Sequence, residues 1–145
     1  MRLAILHGPN LNRLGERDPA KYGVATLDDI TRDVDATAAR LDVTALHFQS
    51  NHEGALTEWV QDRQPAIDGY VVNPAGLASY GYAWLDALFD TGRPFAVVHI
   101  SQWHAHDGKD RTDVFAAHAA VYLAGAGWRG YSLALDALVH RLREP

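Results

Sequence analysis

The stretch RLAILHGPNLNRLGERDPAKYG, residues 2–23, decides how the whole chain is read. RLAILH (2–7) is almost continuously apolar, as a strand covered on both faces of a parallel sheet should be. Gly8 and Pro9 end it at once. Residues 8–23 then carry three Gly, two Pro and two Asn around a charged centre. A loop of that length in a compact domain is usually functional or mobile.

Further along, Thr26 opens a T-x-x-D helix cap with Asp29 standing in for Glu. Leu27, Ile30, Val34, Ala38 and Leu41 follow at helical spacing. TALHFQS (44–50) reads as a second strand, and 54–63 as a short helix turning Leu56, Trp59 and Val60 inward. IDGYVVN (67–73) is a third strand, broken by Asn73, Pro74, Ala75 and Gly76. Residues 79–90 form a helix stopped by Gly92, and PFAVVHI (94–100) is a fourth strand. AAVYLAG (119–125) is a candidate fifth strand. Residues 128–143 close the chain as a helix with Leu133, Leu135, Leu138 and Leu142 as its apolar contacts. Such alternation implies βαβ units and a parallel sheet, and right-handed crossovers make it a doubly wound open sheet. Ligands bind beyond the carboxyl ends of the strands in such sheets. The rule brings together the loop after the first strand, Asn73 after the third, and His99 at the end of the fourth.

Composition limits what the site is for. The 145 residues amount to one domain, 1–145, and 48% of them are apolar, enough for a core. A net charge of -5 with no basic run argues against a nucleic-acid partner but leaves room for a local basic pocket. The absence of cysteine excludes disulfides, thiolate catalysis and Cys-based metal sites, and fits a reducing compartment. The first apolar run is too short for a signal peptide, and no stretch approaches about 18 apolar residues. The expectation is a cytoplasmic protein without a membrane partner. GPNLNRLG matches neither GxGxxG nor a P-loop, so no nucleotide is implied, and an FMN site would follow from fold analogy alone.

The groups gathered at the sheet edge are Asn10, Asn12, Arg17, Tyr22, Asn73, His99 and Ser101. None is a carboxylate, and their natural chemistry is proton transfer without a metal or cofactor. Tyrosine is a poor base at neutral pH, with a reference pKa of about 10, but a fixed cation such as Arg17 favours its phenolate. Histidine donates or accepts a proton near neutrality. Asn side chains bind a developing oxyanion, directly or through water. A Tyr base and a His acid around a bound acid suit loss of water from a β-hydroxy ketone. Each residue also has an ordinary role. His99 could be satisfied by backbone, Tyr22 could anchor a loop, Asn10 and Asn73 could cap turns, and Arg17 could be solvated. His104 and His106 lie two apart, with Asp107 beside them, but no third ligand is assigned to make a metal site. Tyr80, Tyr82 and Trp84 alternate in a helical setting, which leaves some of them for a surface or interface.

The motifs resemble those of the type II 3-dehydroquinate dehydratases. They are L-H-G-P-N-L-N-R-L-G-E-R-D-P-x-x-Y-G at 6–23, F-Q-S-N-H-E-G at 48–54, V-N-P-A-G at 72–76, D-A-L at 86–88, V-H-I-S at 98–101 and G-Y-S-L-A-L at 130–135. The resemblance runs in order over almost the whole chain. It implies a flavodoxin-like three-layer sandwich with a five-stranded parallel sheet, a dodecamer of trimers, no cofactor, and anti-elimination of water from 3-dehydroquinate to give 3-dehydroshikimate. It casts Tyr22 as the base and Arg17 as its activator on a mobile lid. Asn10 holds the water that stabilises the enolate, and His99 is the acid to the leaving hydroxyl. Asn73 with the backbone of Ile100 and Ser101 grips the carboxylate, and Asp86 reaches a neighbouring subunit's site.

Three positions depart from the family's pattern. Ser79 stands where a histidine is usual. Val97 replaces a glutamate two residues before the histidine, which removes an orienting partner for His99. Asp110 falls where a substrate-binding arginine is usual, with Arg111 one step away. The base, the lid and the carboxylate grip are spared, and the distal half of the pocket is changed. Three readings follow: the family reaction, a dehydratase of a related cyclic β-hydroxy keto acid, and a non-catalytic relative that binds a small acid or serves a structural role.

Overall fold

A computed structural model describes residues 1–144. Strands β1 (Arg2–His7), β2 (Thr44–Gln49), β3 (Gly69–Asn73), β4 (Phe95–His99) and β5 (Val121–Ala124) form one parallel sheet in the order β2-β1-β3-β4-β5. The long helices are α2 (Leu27–Arg40), α3 (Glu53–Arg63), α4 (Tyr82–Asp90) and α6 (Gly130–Arg143). Two single turns, α1 (Pro19–Tyr22) and α5 (Trp103–His106), lie in the long loops.

Alternation along each strand divides the core in two. Leu3 and Ile5 of β1, with Val71, Ala96 and Val98, meet Ile30, Val34 and Ala38 of α2 and Leu135 and Leu138 of α6. Ala4 and Leu6, with Tyr70, Val72 and Val97, meet Leu56 and Val60 of α3 and Trp84, Leu85 and Leu88 of α4. Every residue of β3 and β4 is buried, which is why their sequences read as solid apolar runs. The result is the flavodoxin-like three-layer sandwich. Thr26 caps α2 as its sequence foretells: its side chain accepts from the Asp29 backbone, and the Asp29 carboxylate accepts from the Thr26 N–H.

Some details differ from expectation. Residues 75–79 form a 3₁₀ turn, and the helix begins only at Tyr82. Gly81 is drawn back onto Leu77, donating to its carbonyl at 2.7 Å, and this breaks the helical path. Leu133 points away from the core and is 55% exposed, because α6 turns Leu135 and Leu138 to the sheet instead. Trp59 is only half-buried, stacked on Phe48 and covered by Arg63. The loop after β1 is more ordered than its composition suggests. Asp18 caps the α1 turn by accepting from the Ala20 N–H, and Pro19 occupies the first turn.

Candidate active site

The strand order reverses direction at β1 and β3, and the loops leaving β1, β3 and β4 surround a cleft there. Gly8 holds two of these loops together. Its N–H donates to the Asn73 carbonyl at 2.8 Å, and a Cβ on it would lie 2.6 Å from the Pro74 oxygen. Only glycine fits there. Asn10 and Ala75, which follow on the two loops, both adopt left-handed backbone (φ 66° and 50°). Two such non-glycine residues at one cleft are backbone strain of the kind that clusters at functional sites.

The cleft is lined by Asn10, Arg17 and Tyr22 from the first loop and by Asn73 and Ser79 from the second. His99, Ile100, Ser101, Trp103, Asp107 and Arg111 come from the third. Most residues singled out in the sequence thus converge. Asn12 does not: it lies exposed in the 3₁₀ turn after Asn10, outside the lining. Asp86 is exposed on α4 and does not reach the cleft of its own chain. Arg111 faces the cleft and Asp110 does not, so the shift by one residue restores an arginine to the wall. His104 and His106 sit exposed on α5, and among the described residues no cluster of three metal-ligating side chains forms.

Arg17 Nη2 donates to the Tyr22 hydroxyl at 2.9 Å, and its guanidinium carbon lies 3.8 Å from the centre of the same ring. Lys21 Nζ is 5.3 Å from that ring and donates to both carboxylate oxygens of Asp107, at 3.2 and 3.1 Å. Burial works against the Lys21 charge, but hydrogen bonds to Asp107 and Tyr22 outweigh it and raise the group above its ordinary value. Two cations therefore attend one phenol, and the second ties the first loop to the third. Asp107 also accepts from Arg111 Nη2 at 3.0 Å. Asn73 is buried; its Oδ1 accepts from the Ala75 N–H, and its side chain also hydrogen-bonds the buried Tyr131 hydroxyl. The carbonyls of Ile100 and Ser101 are taken by Gly127 and Gly125.

The expectation of a site without a carboxylate is corrected by the loop at residues 107–115, and the same loop supplies the acid partner of His99 that the sequence left open. Asp113 is buried, and its Oδ2 lies 2.7 Å from His99 Nε2. Asp107 joins the wall itself. Neither has a periodic signal in the sequence, because both lie in irregular chain after α5. The one hint was Val97, whose apolar side chain left His99 needing an acid from elsewhere.

A flavodoxin-like sheet with a Tyr–Arg pair, a histidine and amide side chains at the ends of β1, β3 and β4 is an arrangement suited to proton transfer. The chain belongs to the family described as dehydroquinase class II, whose model matches residues 1–139. It is 43% identical over 139 residues to the 3-dehydroquinate dehydratase of Roseiflexus castenholzii, covering 96% of this chain and 88% of that one. It is 43% identical over 141 residues to that of Deinococcus radiodurans, covering 97% and 99%. Among solved structures, the type II dehydroquinase of Propionibacterium acnes superposes with a TM-score of 0.88 at 33% identity, covering 96% of each chain. That of Butyrivibrio crossotus superposes with a TM-score of 0.90 at 30% identity, covering 95% and 97%. No helix among the described residues is long and apolar enough to cross a membrane.

Proposed function

We propose that this chain eliminates water from 3-dehydroquinate to give 3-dehydroshikimate, in the shikimate route to the aromatic amino acids. The observation that carries the reading is the 2.9 Å contact between Arg17 and Tyr22 in one cleft with His99. Tyr22, as phenolate, removes the proton α to the ketone, and the C–H electrons move onto the carbonyl oxygen as an enolate. A water held by Asn10 meets that oxygen. The enolate then collapses: the C=O re-forms, a C=C forms between the α and β carbons, and the β C–O bond breaks. The departing hydroxyl takes a proton from His99 and leaves as water. Proton return from Tyr22 to His99 through solvent resets the enzyme.

The substrate carboxylate is held by Asn73 and the backbone N–H groups of Ile100 and Ser101, whose carbonyls are otherwise engaged. Arg17 and Arg111 outnumber Asp107 on the charged lining, which suits an acid despite the chain's negative total. Closing the 8–23 loop over the substrate excludes water from the charged intermediate. In the proposed dodecamer of trimers, Asp86 serves a neighbouring subunit's cleft. The exposed Tyr80 and Tyr82 provide apolar surface for such contacts.

One observation favours a second reading, a related cyclic β-hydroxy keto acid. Arg111, the cation on the distal wall, is paired to Asp107, and Ser79 Oγ nearby is buried without a partner. That wall offers weaker support for ring hydroxyls than a free arginine and a histidine would. Purified protein is to be assayed with 3-dehydroquinate by the absorbance of the conjugated enone. Saturable turnover supports the first reading. A folded protein that ignores 3-dehydroquinate but dehydrates an analogue altered at the distal ring carbons establishes the second.

A further inference from the structure

The face of β4 that carries His99 also carries Val97, two residues earlier. Val97 is fully buried in the apolar cluster with Phe115, Tyr70 and Trp84. An acid on the strand at that position is therefore replaced by packing. The segment that supplies Phe115 to this cluster also supplies Asp113. Phe115 packs edge-on against Trp84, with ring centres 5.5 Å apart, and Val114 N–H donates to the Ala78 carbonyl at 2.8 Å. The loop is thus anchored to the core and to the wall that bears Ser79.

The Asp113 carboxylate is surrounded by donors. Oδ1 accepts from the Phe115 N–H at 3.0 Å, and Oδ2 accepts from the Tyr122 hydroxyl at 3.2 Å. Oδ2 also meets His99 Nε2 at 2.7 Å, with the two side chains only 1% and 4% exposed. Burial and the neighbouring carboxylate push the Tyr122 hydroxyl up, so it keeps its proton and acts as the donor. With both oxygens already accepting, Asp113 is read as an ionised acceptor, and the proton between it and His99 belongs on Nε2. The imidazole is further held between Trp103 and Tyr122, whose ring centres lie 5.6 and 5.8 Å away. This leaves Nδ1 as the nitrogen for the cleft.

We infer that Asp113 is the positioning residue of His99, a loop-borne carboxylate that fixes the ring with Nε2–H inward and Nδ1 toward the departing hydroxyl. The inference rests on the dehydratase reading above. In the elimination, Nδ1–H of the imidazolium passes its proton to the leaving oxygen, and Nε2–H stays bonded to Asp113. Asp113 itself neither gains nor loses a proton, as with the acid that orients histidine in a hydrolase triad. Tyr122 completes the chain Tyr122–Asp113–His99, and the apolar Val97 is the vacancy this arrangement fills.

The test compares wild type with Asp113→Asn on 3-dehydroquinate and on an analogue with fluoride in place of the departing hydroxyl. Fluoride leaves with far less need of a proton. The expected result is a fall in kcat of roughly 10²-fold on 3-dehydroquinate with KM held within about 2-fold. On the fluoride analogue the variant stays within about 5-fold of wild type, because the acid step is bypassed. An equal loss on both compounds indicates a merely structural residue and overturns the inference, as does an unchanged kcat. A wild type inactive on 3-dehydroquinate sinks the substrate reading, and the pair is then judged by ¹⁵N NMR of the wild-type histidines. That spectrum needs no variant. A His99 ring with its proton on Nε2, hydrogen-bonded at low field, supports the inference, and a neutral ring protonated only on Nδ1 overturns it.

Discussion

Arg17 touches Tyr22 twice: its Nη2 donates to the hydroxyl at 2.9 Å, and its guanidinium carbon stacks 3.8 Å from the ring centre. The planar fork of arginine makes both contacts from one side chain, which an ammonium does not reproduce. Arg17→Ala is expected to lower kcat by roughly 10²-fold. Arg17→Lys should recover little of the loss, since it keeps a charge but loses the stacked fork. Steady-state kinetics of the two variants check this, and full rescue by lysine would show that charge alone matters.

The distal wall separates two neighbouring positions. Arg111 lines the cleft and Asp110 does not. Arg111→Ala is expected to raise KM about 10-fold, the loss of about 1.4 kcal/mol of binding, and Asp110→Ala to leave KM within about 2-fold. Michaelis curves for both variants decide the matter. An effect at Asp110 that exceeds the one at Arg111 would contradict the register of the loop.

How much of this was open to sequence reading depended on periodicity. The strands RLAILH and PFAVVHI and the helix opened by Thr26 carry strong local patterns, and they sit where those patterns place them. The convergence of Tyr22, Asn73 and His99 follows from topology, because parallel strands bring the loops at their carboxyl ends together. The partner of His99 follows from neither. Asp113 lies in irregular chain, and the packing of Phe115 against Trp84 together with the Val114–Ala78 backbone bond carries it to β4. Leu133 shows the opposite failure. Its spacing suits the apolar face of α6, but the helix turns Leu135 and Leu138 inward and leaves it in solvent.

Gly8 sets the distance between the first two loops. Gly8→Ala places a methyl 2.6 Å from the Pro74 carbonyl oxygen, which backbone must relieve. The expected cost is about 2 kcal/mol of stability, with loss of activity beyond it as the cleft opens. Gly54→Ala in α3 meets nothing within 4 Å, and it should be neutral or stabilising by about 0.5 kcal/mol. Denaturant midpoints of the two variants check the contrast.

His7, at the end of β1 and level with Asn73 of β3, gives the fold an acid sensitivity of its own. It is buried, its Nδ1 lies 3.2 Å from the Tyr131 hydroxyl, and its ring stacks on His47. Burial first, and His47 second, lower its pKa from 6.5 to about 3. The unfolded chain therefore takes up this proton at a higher pH than the folded one. The stability that neutral His7 contributes is full above pH 6.5 and lost progressively as pH falls toward 3, at about 1.4 kcal/mol per pH unit. His7→Asn should flatten the fall in unfolding free energy over that window, and parallel curves for wild type and variant would show that His7 is not responsible.

In the proposed reaction Tyr22 takes the α proton of a bound keto acid. The most direct measurement follows enone absorbance with 3-dehydroquinate for wild type and Tyr22→Phe, with binding to the variant measured by calorimetry. Saturable turnover by wild type, reduced by roughly 10³-fold or more in a folded variant that still binds the substrate, is the predicted result. Turnover retained in Tyr22→Phe would contradict the assignment of the base.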